Sequence, residues 1–290
     1  MTTTKQDDAA RRAYWAEQME YGYDLVKKVL NWEVRECGEG LASIPDAAES
    51  AGVEMLFSTS KIAGGFDRVY FIRESLVKHV IDVGRAMNNR GWILKVEDGF
   101  RSLEMQGALV RKPEVFDAIL RKCIWEFGGQ IPPSEIVFRR ASVLVANFPK
   151  VGTHMSASAI DVSVFRRDDG SEVWRGNPYL EMSERTPMRS PFVEPDALAN
   201  RLAITEMIEA QGFVHFPCEF WHFNQGDAMG NLLTNTHVPG RFGAVDWDPR
   251  TNKVTACADP LSPLIPLPVF EQEIEAAMRR ARESRSDSST

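Results

Sequence analysis

One stretch of the chain decides how the rest is interpreted: residues 153–161 read Thr-His-Met-Ser-Ala-Ser-Ala-Ile-Asp. It places His154 seven residues before Asp161, and further along the chain Glu219 stands three residues before His222. Two imidazoles, one carboxylate ligand and one spare carboxylate are the inventory of a catalytic zinc site, where a fourth tetrahedral position is left to water. We therefore predict His154, Asp161 and His222 as the ligands of one zinc ion per chain, with Glu219 facing the bound water.

The local pattern indicates how these side chains converge. Small or polar residues alternate with β-branched ones over 159–164, which predicts a half-buried strand with Asp161 directed away from the apolar face. Glu219 and His222 would lie on opposite faces of a regular strand. Pro217 just before them favours a turn or a strand start, where both side chains can be directed at one metal.

A third motif follows the apolar run 92–96, where residues 98–101 read Asp-Gly-Phe-Arg. An arginine at a strand end offers a planar, permanently charged fork for a carboxylate or a developing oxyanion. Arg101 is therefore the third part of the predicted site.

With these three motifs, in this order, the chain resembles the zinc D-Ala-D-Ala dipeptidases and carboxypeptidases of the VanX type, which share a fold with the Hedgehog signalling domain. The resemblance covers roughly residues 69–224. It implies an α+β fold, Hedgehog/DD-peptidase-like, with a central antiparallel sheet flanked by helices. It also implies His154, Asp161 and His222 as zinc ligands, Glu219 as general base and Arg101 as the group that stabilises the tetrahedral intermediate.

A further fragment of the resemblance bears on the substrate. Residues 180–183, Leu-Glu-Met-Ser, are similar to the Leu-Asp-Met-Gly of the dipeptidases, whose acid holds the free amine of the substrate, so Glu181 is a candidate substrate-binding residue. The chain departs from the family in three places. It has Gly152 where serine is usual, Ala157 where glycine is usual, and glutamate rather than aspartate at 181. These departures affect the rim that selects the substrate more than the metal and its base.

The flanking regions predict additions to a central domain. We expect an N-terminal helical extension over 1–65, a zinc metallopeptidase-like catalytic domain over 66–228, and a C-terminal extension over 229–290, packed on the same domain, with a hairpin at 243–256 and a terminal helix at 269–285. A helix over 7–37 carries an apolar stripe that is more typical of packing, on this domain or a second subunit, than of a cofactor site. The periodicity further predicts strands over 69–72, 92–100, 142–146 and from 213, and helices over 74–88, 103–109, 113–127 and 196–211. We expect a connecting loop over 40–65, with one short helical turn around 46–51. Residues 166–195 form an irregular excursion that is either a binding loop or a surface insertion.

Composition narrows the class of protein. The 290 residues are 43% hydrophobic, enough for a sizeable core, and the net charge of −7 argues against a general nucleic-acid binder. Neither a run of eighteen apolar residues nor the apolar core of a signal peptide is present, so we expect a cytoplasmic protein without a membrane partner. A homo-oligomer formed through either extension remains an alternative to a monomer.

The cysteines predict no second metal site. All four are scattered without a Cys-x-x-Cys pair, which argues against a structural zinc knuckle and a disulfide framework. Cys218 directly precedes Glu219 and could be a nucleophile, but a small buried thiol is the simpler interpretation. His79 and His237 are interpreted as structural or loop residues.

The predicted function is therefore a zinc-dependent hydrolase that cleaves a dipeptide or small amide through a zinc-bound water activated by Glu219. One alternative is a zinc amidase acting on a non-peptide small amide, which the three departures allow. Another is a non-catalytic zinc-binding recognition module. Glu219 and Arg101 argue against the last, because a site used only for binding needs neither a base nor an oxyanion partner.

Overall fold

The computed structural model describes the backbone of residues 5–287 and the side chains of residues 6–283. This part of the chain forms a mixed α+β structure. Its helices are α1 (Lys5–Asn31), α2 (Ile44–Ser50), α3 (Glu74–Asn89), α4 (Leu103–Val110), α5 (Pro113–Glu126), α6 (Ser134–Leu144), α7 (Pro195–Glu209), α8 (Ala228–Leu233) and α9 (Leu267–Asp287). Its strands are β1 (Leu41–Ser43), β2 (Met55–Phe57), β3 (Phe71–Arg73), β4 (Trp92–Asp98), β5 (Ala159–Arg166), β6 (Val214–His215), β7 (His222–Asn224), β8 (Val245–Asp248) and β9 (Lys253–Ala256).

The central sheet has the strand order β2-β4-β5-β7-β6. Every neighbouring pair is antiparallel except β2 and β4, which run parallel. A parallel pair needs a long crossover connection, and the segment 58–91 with α3 provides it. The expected antiparallel sheet thus has one parallel edge strand. The sequence did not indicate β2, because its three residues lie in a stretch that lacks strand periodicity.

Apolar side chains cover both sides of this sheet. One cluster joins the strands to α3 and α7 and includes Leu94, Ile160, Val162, Val80 and Ile208. The predicted half-buried strand β5 is in fact buried on both faces, since Asp161 and Ser163 on its other side are also inaccessible. Polar residues on a covered strand must have partners. Ser163 accepts a hydrogen bond from Arg175, and the partners of Asp161 define the site described below.

A second cluster lies among α1, α5, α6 and α9. The apolar stripe of α1, with Trp15, Met19, Val26 and Val29, is fully buried in this cluster. Of the two expected arrangements, packing on this domain or on a second subunit, the helix adopts the first. It ends at Asn31 rather than near residue 37. The predicted C-terminal hairpin is present as β8 and β9, and the terminal helix as α9.

The segment 142–146 is not the strand that we predicted. Residues 134–144 form α6, whose last five residues, Arg140 to Leu144, are all buried. A short apolar run reads the same whether it belongs to a buried helix or to a buried strand, so periodicity could not separate the two. The predicted domain boundary at residue 65 separates strands that pair with each other. Strands β1 and β2 precede it, and they pair with β3 and β4, which follow it.

No helix within residues 5–287 combines the length and the apolar character that crossing a bilayer requires.

Candidate metal centre

Three predicted ligands meet at the centre of the sheet. Asp161 on β5 lies in register with His222, the first residue of β7, and His154 reaches the same point from the loop before β5. The Nε2 atom of His154 is 3.2 Å and the Nδ1 atom of His222 is 2.8 Å from Oδ1 of Asp161. The three ligand atoms lie within 4.8 Å of one another, and they form the one group of metal-ligating side chains found among the described residues.

Each ligand is oriented by a second partner. Nδ1 of His154 lies 2.7 Å from the Gly99 carbonyl oxygen, which can only accept, so this nitrogen carries the proton and Nε2 is left with its lone pair. Nε2 of His222 lies 2.8 Å from the Thr153 hydroxyl, and the Tyr179 hydroxyl donates to Oδ2 of Asp161 over 2.9 Å. Such outer contacts are what hold imidazole and carboxylate ligands in place around a metal.

The electrostatics of the group suit a cation. Burial alone would raise the pKa of Asp161, but its contacts with His154 and His222 outweigh burial and hold that pKa well below the usual range. Burial lowers the pKa of His222 in spite of the nearby Asp161 carboxylate. An ionised Asp161 carboxylate beside a neutral His222 imidazole suits metal binding, which requires deprotonated ligands. Two nitrogen donors with one oxygen donor are a set that zinc accepts.

Glu219 stands beside the three ligands but outside their group. It lies in the turn between β6 and β7, where its N–H donates to the Phe216 carbonyl oxygen over 3.1 Å. On a regular strand, Glu219 and His222 would lie on opposite faces. The turn at Pro217 places Glu219 outside the strand, as the sequence indicated. The carboxylate lines the same cavity as the ligands. Burial and the neighbouring Asp161 raise the pKa of Glu219 well above its usual range.

Arg101 is held rigidly against the group. Its Nε and Nη2 atoms lie 2.7 and 2.6 Å from Oδ2 of Asp98, and Nη2 is 3.7 Å from Oδ2 of Asp161. A bulge between Val96 and Asp98 shifts the register of β4 at this point, and bulges commonly redirect side chains beside active sites. Burial alone would lower the pKa of Arg101, but Asp98 and Asp161 outweigh it and raise that pKa, so the fork is permanently charged.

Sequence reasoning missed four residues that position the site. Thr153 and Tyr179 orient ligands, Arg68 shares Oδ2 of Asp98 at 2.9 Å, and Gln106 accepts from Nη1 of Arg101 at 3.2 Å. Thr153 and Tyr179 are next to motifs already recognised, and that adjacency was the available signal. Arg68 carried none, because its contact with Asp98 depends on how the chain folds back on itself. Gln106 lies in the first turn of α4, only five residues after Arg101, so its nearness to that motif was the available signal.

The structure brings Glu181 to the wall of the same cavity, but not into contact with the ligands. Its side chain is exposed in the loop after β5, and the neighbouring Leu180 has a left-handed backbone with φ of 67°. Backbone strain at a non-glycine residue is typical of segments held for a functional reason. The ammonium of Lys122, on α5, interacts electrostatically with the Glu181 carboxylate.

The other two departures from the family pattern have physical accounts. A Cβ on Gly152 would lie 2.3 Å from the Met155 methyl carbon, so the usual serine would require the flexible Met155 side chain to shift. Ala157 has φ of 51°, a conformation that favours glycine and costs an alanine about 1–2 kcal/mol. This left-handed backbone conformation explains why glycine is usual at the position, and Ala157 adopts it despite its Cβ.

The alternative candidates have other partners. Cys218 is buried, its thiol directed at the Gln18 carbonyl oxygen 3.7 Å away, and burial raises the pKa of that thiol. It does not line the cavity, which favours the buried-thiol interpretation. Nδ1 of His79 lies 2.9 Å from Oε1 of Gln225, and His237 stacks on Trp32.

A cavity of about 630 Å³ opens over the ligands. The end of the sheet and the β6–β7 turn provide one wall, with the three ligands, Arg101 and Glu219. The other lining residues come mainly from α4, α5 and the end of α6, and most of these are apolar. The arrangement places a predicted base, a cation and a metal-ligating group on a ligand-sized pocket.

Comparison with known proteins agrees with this site. Residues 138–241, which contain all three ligands and Glu219, match the family model described as D-ala-D-ala dipeptidase. The chain is 36% identical over 80 residues to the D-alanyl-D-alanine dipeptidase of Escherichia coli, covering 28% of this chain and 41% of that protein. It is 30% identical over 71 residues to the D-alanyl-D-alanine dipeptidase of Enterococcus faecium, covering 24% and 35%.

The matches are partial, and the chain spans less than half the length of these two relatives. Arg101 and its partners Asp98 and Arg68 lie outside the matched segment and join the site through the fold alone. The resemblance that the three motifs predicted is confirmed: over residues 138–241 this chain is similar to the D-ala-D-ala dipeptidase family of peptidases.

Proposed function

We propose that this protein is a zinc-dependent hydrolase that cleaves a dipeptide or a small amide. The observation that carries the proposal is the convergence of His154, Asp161 and His222 within 4.8 Å, on the wall of a cavity that Glu219 also lines. The family match supports the reaction class. We infer that the sheet and its helices follow the Hedgehog/DD-peptidase arrangement, and that residues 66–228 supply the chemistry while 1–65 and 229–290 pack around them.

Each residue has a distinct task in this mechanism. When bound, zinc would supply Lewis acidity, which lowers the pKa of a water molecule to about 7. Glu219 takes the proton of the attacking water and returns it to the leaving amine. Burial and the nearby Asp161 raise the pKa of Glu219, the direction that makes its carboxylate a stronger base toward the attacking water. Arg101, fixed by Asp98, donates N–H groups to the developing oxyanion.

Glu181 is proposed to hold the free amine of the substrate. It lines the cavity with a side chain that is largely in solvent. The neighbouring Lys122 ammonium competes for this charge, although Lys122 is itself paired with Glu184 at 3.0 Å. We therefore expect the contribution of Glu181 to selecting free-amine substrates to be smaller than the contributions of metal binding and proton transfer to catalysis.

A non-peptide amide is the second candidate substrate. The observation that favours it is the apolar helical wall of the cavity, which a substrate with two methyl side chains leaves largely uncovered. A recognition module without catalysis has less support, since Glu219 and Arg101 both face the cavity.

The test separates metal binding from turnover. Purified protein should contain about one zinc ion per chain, measured by elemental analysis, and His154→Ala or His222→Ala should lose it. His79→Ala is the matched control, because this histidine is partnered by Gln225 away from the site. Full zinc occupancy in both ligand variants would refute the assignment.

Turnover is tested with Glu219→Gln, which keeps the size of the side chain and removes the base. It should retain zinc and lose about 10²–10⁴-fold in rate on whichever substrate the wild type cleaves from a panel of L,L, D,D and mixed dipeptides, their N-blocked forms and simple amides. An unchanged rate would assign the proton transfer to another group.

A further inference from the structure

The two walls of the cavity differ in chemistry. The sheet side carries the ligands, Glu219 and Arg101, whereas the helical side is mainly apolar, with the polar residues Gln106, Glu114, Arg121 and Lys122 also in its lining. Glu114 and Arg121 are exposed to solvent. The apolar residues of the helical side form one surface. That surface comes from three helices and consists of Leu109 on α4, Val115 and Ala118 on α5, and Val143 and Leu144 on α6. We call these five residues the helical wall. Three of them, Leu109, Val115 and Ala118, are only half-buried, so they are open to a ligand.

The charged residues near the helical wall do not make it a site for a charged group. Lys122 pairs with Glu184 at 3.0 Å and lies 3.3 Å from the centre of the Trp125 ring. Glu184 is in turn held by Arg11 of α1 at 2.8 Å. Arg121, the neighbouring cation, is exposed to solvent. A ligand group that covers the helical wall is therefore recognised by apolar contact.

The size of the cavity points the same way. At about 630 Å³ it falls in the middle of the range typical of pockets for drug-sized ligands. Two methyl side chains, as in a dialanine, leave most of the apolar surface in contact with water, and covering such surface is the main source of affinity in pockets of this kind.

We propose that the substrate is a dipeptide or amide that carries a large apolar group, aromatic or branched aliphatic, on one side of the scissile bond, and that the helical wall is the subsite for this group. The proposal rests on the function proposed above and names its substrate class. The metal group and Glu219 act on the amide bond, while α4, α5 and α6 select the side chain.

The experiment measures binding separately from turnover. Zinc-loaded Glu219→Gln protein is titrated by calorimetry with Ala-Ala, Ala-Leu, Ala-Phe, Leu-Ala and Phe-Ala dipeptides in their L and D forms. The best Leu or Phe dipeptide should bind at least about tenfold more tightly than the dialanine of the same stereochemistry, since one methylene in an apolar pocket already changes discrimination by about 10–200-fold.

A substitution in the helical wall should remove this preference. Ala118→Leu, in the same Glu219→Gln background, fills part of the subsite with a residue that favours helix, so the Leu or Phe dipeptide should lose about tenfold in affinity while dialanine changes little. Ala108→Leu is the matched control: Ala108 is also half-buried on a neighbouring helix but does not line the cavity. Leu109→Phe narrows the subsite from a second helix and replaces Ala118→Leu if that variant does not fold.

Failure of this inference differs from failure of the proposed function. Equal affinity for all dipeptides, or a preference that survives both wall substitutions, overturns the subsite even if the wild type hydrolyses dialanine. A preference that the wall substitutions abolish supports the subsite, and if the wild type then hydrolyses none of these dipeptides, the hydrolase assignment is what fails. Binding of no dipeptide at all overturns the subsite, whereas the proposed function is then decided by turnover of the simple amides in the substrate panel.

Discussion

Replacing Tyr179 with phenylalanine should weaken zinc binding without changing any ligand. The Tyr179 hydroxyl is 2.9 Å from Oδ2 of Asp161, the oxygen that does not contact the two histidines, and the ring packs edge-on against Trp221. The substitution keeps the ring and removes one hydrogen bond to a buried carboxylate. Such a bond to a charged group contributes about 1.5–3 kcal/mol, which corresponds to roughly 10- to 100-fold in zinc affinity, the range expected when an outer partner of a metal ligand is lost.

The assay is a competition titration of zinc against a chromophoric chelator at neutral pH. Tyr14→Phe serves as the control, because it also removes a partly buried hydroxyl, one that bonds with Ser190, but on α1 and away from Asp161. Circular dichroism establishes that both variants fold. Wild-type zinc affinity in a folded Tyr179→Phe protein, or an equal loss in Tyr14→Phe, would refute the positioning role of this hydroxyl.

Three further predictions test the other charged groups of the site. Arg101→Lys should lower kcat by about 10²–10³-fold, as loss of an oxyanion donor does, because an ammonium cannot make the two contacts of the fork with Asp98; kinetics equal to wild type would contradict the oxyanion role. Glu181→Gln should lower the rate on free-amine substrates more than on N-blocked ones, and equal changes in both classes would rule out the amine anchor. Apparent zinc affinity should hold through neutral pH and fall in acid, because a proton competes with the metal for His222, and burial places the pKa of that imidazole below its ordinary value of about 6.5. A fall that already begins between about pH 8 and pH 7 would show that this imidazole is not held neutral.

The ligand set was readable from sequence for a local reason. Asp161 sits in an alternating strand, His154 is seven residues before it, and Pro217 marks the turn that aims Glu219 and His222 at one place. Backbone geometry at these points follows from neighbouring residues. The pairing of β5 with β7, a contact between distant segments, then brings the three predicted ligands within 4.8 Å of one another. The long helices were predictable for a similar reason, since their periodicity extends over many residues.

Other features depended on contacts between distant segments. The parallel edge strand β2 is three residues long and exists because β4 offers it hydrogen bonds. Residues 142–144 of the predicted strand 142–146 lie in the buried end of α6, where an apolar run looks the same as that of a strand. Arg68 reaches Asp98, the partner of Arg101, only after the chain has folded back, so its position in the sequence carries no sign of the contact. Gln106, by contrast, is five residues from Arg101 and contacts it locally.

The sequence by itself thus determined the chemistry of the site, because the types and local spacing of His154, Asp161, Glu219 and His222 are what a zinc-assisted hydrolysis needs. Only the tertiary structure decided what surrounds that chemistry. The helical wall is assembled from α4, α5 and α6, which lie apart in the sequence from the residues of β5 and β7, and its shape is set by how these helices pack on the sheet. Burial and distance between remote segments are properties of the folded chain, and they also set the pKa values of Glu219 and His222.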